Sequence, residues 1–276
     1  MIYAIVVTFN PEPELLAKQY ESLKNQVNGI IYVDNASYVL TIPSGENVYS
    51  IRNEENQGLA IAQNKGIELA KQKNAEFVFL LDQDSVLPIG MVDTLRKEFE
   101  HLKCDNINVG AIGPVIHSAY TSTDAKTVVS LGFKLKQADV MSTMETSYII
   151  ASGTLIPMGV IDEVGGLCEK LFIDGLDLEW CIRAKSKGYK IYITSKTKLT
   201  HQLGNGNKNK ILSHSPQREY YIVRNDVWIS KQQYIPWGYR FRKTLTPVCR
   251  LAMSICSGKL KYAKSDIKGL LDGIRL

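Results

Sequence analysis

Phe77-Val78-Phe79-Leu80-Leu81-Asp82-Gln83-Asp84-Ser85 is the stretch that decides the fold. Its apolar, β-favouring start predicts a strand over 77–81, buried on both faces as in a parallel sheet. The strand stops at two carboxylates set two residues apart. In open sheets of βαβ units, ligands bind beyond the carboxyl ends of the strands. Paired carboxylates at such a point suit a hard divalent cation, Mg²⁺ or Mn²⁺, which keeps several waters and binds phosphate oxygens as well. They equally suit a plain strand end, where an Asp commonly caps the next helix.

The same pattern extends outward in both directions. Ile2-Tyr3-Ala4-Ile5-Val6-Val7-Thr8 predicts another buried strand, closed by Asn10-Pro11. A helix is expected over 14–26, with Leu15, Leu16, Gln19 and Leu23 on one side. Strands over 30–33 and 48–51 and a helix over 59–73 continue the alternation. From 109 to 157 the spacing changes to short strands and turns, including 128–135 and 147–156, which predicts a mixed portion. A helix over 174–187 ends at Gly188, and a strand follows over 189–193. From Ser215 the chain predicts helices interrupted at Pro236 and Pro247.

Composition narrows the class. The chain has 276 residues, 45% hydrophobic and 22% charged, which excludes a disordered or fibrous protein. Its five cysteines form no C-x-x-C pair, so reduced thiols are expected. No apolar run approaches the ~18 residues a membrane span requires, and no signal peptide is expected. The 33 Lys and Arg outweigh the 28 Asp and Glu, for a net +5. That sum is uneven. Residues 231–276 hold ten basic residues against Asp266 and Asp272, a net +8, which leaves the first 230 residues at −3. A body of 1–230 and a basic helical extension of 231–276 is the natural division.

Other polar clusters follow the strands. Asp34-Asn35-Ala36-Ser37 could accept hydrogen bonds from a ribose or nucleobase N–H, or form a turn. Asn53-Glu54-Glu55-Asn56-Gln57-Gly58 could aim backbone N–H groups at a ligand, or cap a helix. There is no G-x-G-x-x-G and no Walker A sequence. In Phe172-Ile173-Asp174-Gly175-Leu176-Asp177-Leu178-Glu179-Trp180-Cys181-Ile182-Arg183, helical spacing puts Asp174 and Asp177 on one face. Asp177 is a candidate general base, or only a helix-dipole partner. Glu179 and Arg183, four apart, predict a solvated or structural ion pair.

Together, Val6-Val7-Thr8-Phe9-Asn10, Val33-Asp34-Asn35-Ala36-Ser37, Asn56-Gln57-Gly58, Leu81-Asp82-Gln83-Asp84-Ser85 and the segment 172–183 resemble the inverting family 2 glycosyltransferases of GT-A fold. The Asp-Gln-Asp-Ser and Asp-Leu-Glu-Trp forms look most like their rhamnosyltransferase branch. The resemblance implies a Rossmann-like, mostly parallel mixed sheet flanked by helices, with a nucleotide-binding half over 1–105 and an acceptor half over 106–230. It implies that Thr8, Asp34 and Asn56 line the nucleotide pocket. Asp82 and Asp84 would hold the donor diphosphate through Mg²⁺ or Mn²⁺, Asp84 as the direct ligand, with His201 a further candidate ligand. Asp177 matches the family's base. Leu176 stands where the family has Glu, and Asp174 is the acid nearest to filling that gap, with Trp180 beside the acceptor. Arg218 and Arg224 are candidate phosphate forks, or exposed helix cations.

The implied activity is metal-dependent inverting transfer of L-rhamnose from dTDP-β-L-rhamnose to a growing cell-surface polysaccharide or lipid-linked acceptor, in the cytoplasm. Another family 2 transferase using a UDP-sugar is the alternative. A sugar-phosphate nucleotidyltransferase would want a Gly-rich basic loop after the first strand, where this chain has Thr8-Phe9-Asn10-Pro11-Glu12. A non-catalytic nucleotide-sugar-binding protein would not need Asp82, Asp84 and Asp177 together. The basic extension suits an anionic membrane surface, a subdomain packed on the body, or a homodimer face. Nucleic-acid binding is not expected, since no recognised module accompanies the charge.

Overall fold

The computed structural model describes residues 1–39, 42–118, 121–201 and 215–276. The chain begins with β1 (Ile2–Thr8), α1 (Pro13–Leu23), β2 (Gly29–Asp34), β3 (Val48–Arg52), α2 (Leu59–Gln72), β4 (Phe77–Asp82) and α3 (Met91–Cys104). It continues through β5 (Val109–Ser118), β6 (Thr123–Asp124), β7 (Thr127–Ser130), β8 (Lys136–Ala138), β9 (Met144–Thr146), β10 (Thr154–Pro157) and α4 (Met158–Val164). After α5 (Leu176–Ser186) and β11 (Lys190–His201) come three helices, α6 (Pro216–Ser230), α7 (Trp237–Cys256) and α8 (Leu260–Arg275).

One mixed sheet runs β3-β2-β1-β4-β10-β5-β11-β9, with β6 paired to β5. The first four strands in that order are mutually parallel, β10 is antiparallel to both its neighbours, and β5 and β11 are parallel again. Alternation along β1 sorts the core into two layers. Tyr3 and Ile5 face the layer of α2, α4 and α5, whereas Ile2, Ala4 and Val6 face that of α1 and α3. Covered on both sides, these strands need no polar face, which is why they are continuous apolar runs. Thr8 pairs in register with Asp34, and Val7 with Asp82, so the polar residues ending β1, β2 and β4 meet at one edge.

Several sequence expectations change. The segment 128–135 is not one strand: β7 and β8 form a small separate hairpin. Within 147–156 only 154–156 is strand, because 149–153 loops over the end of β4, where Gly153 N–H donates to Leu80 O at 2.8 Å. The helix expected from 174 starts at Leu176, since Asp174 and Gly175 both have positive φ, 65° and 84°. Asp174 and Asp177 therefore do not share a helical face. Pro236 does precede a helix, but Pro247 lies inside α7 without ending it. The lost backbone bond is offset by ion pairs that fasten α7 to α6 on both sides of Pro247, Lys243–Asp226 and Arg250–Glu219.

Candidate active site

The end of β2 builds one wall. Asp34 is 1% exposed, and its Oδ1 accepts from Thr8 Oγ1 at 3.0 Å and from Ser37 Oγ, while Oδ2 accepts from Ser37 N–H at 3.0 Å. Thr8 and Asp34 thus support each other beneath a shallow cavity of about 470 Å³ lined by Ala36, Ser37, Tyr38, Arg52, Asn53 and Glu54. That volume is in the range of a small-molecule site.

A side-chain amide network continues it. Asn35 Nδ2 donates to Asn56 Oδ1 at 2.8 Å, and Asn35 Oδ1 accepts from Asn53 Nδ2 and Gln57 N–H, both at 3.0 Å. Asn56 Oδ1 also takes the Gly58 N–H at 3.0 Å. Lys65 donates to Asn53 Oδ1 at 2.6 Å and Gln57 Oε1 at 2.7 Å. Gly58 has φ +88°, and a Cβ there would lie 2.6–2.7 Å from the Phe172 ring and carbonyl. Only glycine lets this turn touch the loop that leads to Asp174.

Asp82 ends β4, and Asp84 lies in the turn that follows it. Gln83 between them is structural: its Oε1 accepts the Phe9 N–H at 2.8 Å, which ties β4 to the end of β1. Ser152 Oγ accepts the Asp82 N–H at 3.2 Å and bonds Ser85 Oγ at 2.9 Å. The neighbouring Ala151 offers its backbone N–H to Asp177. The 151–153 loop therefore spans the gap between the β4 acids and α5. Nothing in local spacing marks Ser152, which stands in a Ser-Gly turn pair distant in sequence from every motif it serves.

Asp177 sits in the first turn of α5, partly buried among protein atoms. Burial pushes its carboxyl up to about 7; the Ala151 N–H opposes this, and the charges of Asp82 and Asp174 add to it. Such a carboxyl is poised to take a proton near neutral pH. Asp174 instead receives Arg218 as a two-pronged partner, Nε to Oδ2 at 2.9 Å and Nη2 to Oδ1 at 2.7 Å. Asn225 Nδ2 donates to the Ile173 and Asp174 carbonyls at 2.6 and 2.8 Å. Helix α6 thus holds the left-handed Asp174 backbone that launches α5.

The remaining candidates separate. Arg224 bonds Lys170 O at 2.8 Å and Asn225 Oδ1, and lies over the Tyr221 ring. Trp180 is buried and donates Nε1–H to Gly165 O at 2.9 Å. Glu179 is 1% exposed, so its pair with Arg183 is structural rather than solvated. His201 ends β11, and its side chain and the 202–214 segment lie outside the described residues.

Among the described residues, no three His, Cys, Asp or Glu side chains cluster as a complete metal cage. Mg²⁺ and Mn²⁺ do not need one: they take one or two carboxylates plus substrate phosphate. Asp82 and Asp84, two residues apart where β4 ends, supply carboxylates of that kind, and the Asp82 charge is felt at Asp177.

A small-molecule-sized cavity beside the ends of β2 and β3, two acids at the end of β4 and a raised carboxyl in α5 fit a nucleotide-sugar glycosyltransferase of GT-A fold. A model of the family "Glycosyl transferase family 2" matches residues 3–164, more than half of the chain. The chain belongs to that family and is a glycosyltransferase. It is 32% identical to the dTDP-rhamnosyl transferase RfbF of Shigella flexneri, over 99% of this chain and 95% of that protein. Among solved structures it resembles GalNAc-T7 with UDP, GalNAc and Mn²⁺ (TM-score 0.60, 12% identity, 88% of this chain). It also resembles the mannosyltransferase PcManGT of Pyrobaculum calidifontis with GDP-Man and Mn²⁺ (TM-score 0.53, 12% identity, 99% of this chain and 86% of that one). The chain spans 54% of the GalNAc-T7 structure, and at these identities the likeness is one of fold.

Proposed function

We propose that the chain transfers L-rhamnose from dTDP-β-L-rhamnose to a saccharide or lipid-linked saccharide hydroxyl, with inversion at the anomeric carbon. The juxtaposition of Asp177 with Asp82 across the 151–153 loop carries the reaction type, and the near full-length likeness to RfbF carries the donor. The finer reading places the thymine and ribose in the cavity above Asp34, with residues 1–105 as the donor half and 106–230 as the acceptor half. In this reading Arg218 reaches the diphosphate only by leaving Asp174, and Arg224 only by leaving Lys170 and Asn225. The activity is cytoplasmic, and 231–276 faces an anionic membrane. Family membership replaces the nucleotidyltransferase reading.

The chemistry follows from charge. A sugar bonded to a diphosphate loses it as an anion, so the site must offset charge on that leaving group. Asp82 and Asp84 would hold Mg²⁺ or Mn²⁺, which when bound supplies that offset. Asp177 takes the acceptor hydroxyl proton as the acceptor oxygen forms its bond to the anomeric carbon and the carbon–oxygen bond to the diphosphate breaks. One displacement from the opposite face inverts the centre. The Ala151 N–H keeps the carboxylate pointed, and burial keeps it basic.

A donor screen by thermal shift, with Mg²⁺ or Mn²⁺ and then with EDTA, tests this reading. Stabilisation is expected with dTDP-rhamnose and to be lost with EDTA; at about 100 times the Kd the gain is ~2.7 kcal/mol. A shift only with a UDP- or GDP-sugar overturns the donor, and an EDTA-insensitive shift overturns the metal.

A further inference from the structure

Helices α7 and α8 are inside out. On α8 the residues turned inward are Ala263, Asp266, Gly269 and Gly273, while Ile267, Leu271 and Ile274 are exposed. The inward glycines let α8 approach α6 closely: a Cβ on Gly269 would meet Tyr220 O at 2.8 Å, and one on Gly273 would meet Arg224 O at 2.6 Å. On α7 the inward positions are Tyr239, Pro247 and Ser254, with Lys243 and Arg250 paired to buried Asp226 and Glu219. Its exposed face carries Trp237, Phe241, Leu245, Val248 and Ile255. Their spacing of three and four, or seven, residues makes a continuous stripe. Trp237 is 69% exposed and Ile274 63%. A water-facing helix pair would reverse this arrangement, since large apolar side chains outside gain nothing from folding.

The charges flanking these stripes are of one sign. Arg242, Lys259, Lys261, Lys264, Lys268 and Arg275 are exposed. Of the two acids in 231–276, Asp266 is buried against Ser254 Oγ at 2.7 Å, and Asp272 accepts Tyr220 Oη at 2.9 Å. Two such faces meeting about a twofold axis would bring cation against cation, which disfavours a second copy of the chain as occupant. An anionic bilayer complements both properties: its headgroups match the cations and its acyl boundary accepts the stripes. Trp237 packs edge-on against Phe133 of the β7–β8 turn, with centroids 4.9 Å apart, and this extends the face with aromatic rings suited to the headgroup level.

We infer that the outward faces of α7 and α8 form one platform that seats the enzyme in the interfacial layer of an anionic lipid bilayer. This deepens the membrane part of the proposed function and is independent of the donor sugar. The platform also connects to the chemistry, because α6, to which both helices are fastened, carries Arg218 and Asn225 on the Asp174 turn.

Flotation of the full chain with phosphatidylcholine vesicles, with and without phosphatidylglycerol, tests the inference. Binding is expected to be about tenfold or more stronger to the anionic vesicles and to weaken in high salt. Trp180 and Trp228 are buried, so a blue shift of tryptophan emission on binding reports Trp237. The double variant Leu271→Ser/Ile274→Ser, changed at exposed positions, is expected to lose about tenfold or more in partition at unchanged melting temperature. Absence of binding to anionic vesicles, binding without the blue shift, or equal binding by the double variant each overturns it. So does a concentration-dependent dimer that the double variant disperses while vesicles are ignored. Donor thermal shift on the same preparations keeps failure here separate from failure of the donor assignment.

Discussion

Asp177→Asn is expected to lower turnover by about 10²–10⁴-fold, the typical worth of a positioned general base, while donor affinity stays nearly unchanged. The amide is isosteric and its oxygen still accepts the Ala151 N–H, so the loop that positions Asp82 is not disturbed. What disappears is the acceptor for the hydroxyl proton. In the parent, turnover is expected to fall about tenfold per pH unit on the acid side, as protonation removes the base. The carboxyl is pushed up to about 7, and a divalent cation beside Asp82 would move that limb lower. Stability has the opposite sign. Between the usual carboxylate range and about pH 7 the native state holds a proton that the unfolded chain releases. The contribution to stability is therefore full at low pH and lost as pH rises through about 7. Asp177→Asn should accordingly be at least as stable as the parent above that pH. Steady-state kinetics, donor titration and thermal melts check the set; turnover near the parent value refutes the base assignment.

Glu179→Ala should cost stability rather than chemistry. The Glu179 carboxylate is 1% exposed and takes Arg183 Nε at 2.7 Å and Nη2 at 3.0 Å, with Tyr234 Oη on the same Oε1. Arg183 also donates to Val164 O at 2.6 Å and Gly166 O at 2.7 Å, so it cannot swing to water without breaking the α4–α5 connection. Removing one partner of a buried pair costs about 3–5 kcal/mol, because the other charge is left uncompensated. Against a total stability of about 5–15 kcal/mol that loss is severe. A urea melt is expected to show it, with donor affinity of the remaining folded protein unchanged. A loss below ~1 kcal/mol would mean that the pair is dispensable.

The buried strands were legible because a parallel sheet covered on both faces needs runs such as 2–8 and 77–82, and few other structures accept them. Their polar ends were legible for a related reason: a carboxylate closing an apolar run marks where the sheet meets solvent. Local signals also placed α6, whose Ser215 side chain accepts the Arg218 N–H at 3.2 Å and whose first turn holds Pro216. They failed where a residue's role depends on partners far along the chain. Helical spacing alone linked Asp174 to Asp177, but the left-handed Asp174, held by Arg218 and Asn225 from more than forty residues away, breaks that helix and removes the shared face.

The strands over 2–8, 30–33, 48–51 and 77–81, the acids that follow them and the separation of a basic tail from an acidic body were determined by sequence alone. They depend on local hydrophobic period and on charge count. Only the tertiary structure decided that Ala151 and Ser152 join Asp177 to Asp82, and that Glu179 is a buried strut. It alone decided which side of α7 and α8 faces outward. An amphipathic pattern states that two faces differ; which one is buried depends on what the helix packs against. Here α8 approaches α6 through Gly269 and Gly273, α7 is fastened to α6 by Lys243–Asp226 and Arg250–Glu219, and Leu245, Val248, Ile255, Ile267, Leu271 and Ile274 are left outside.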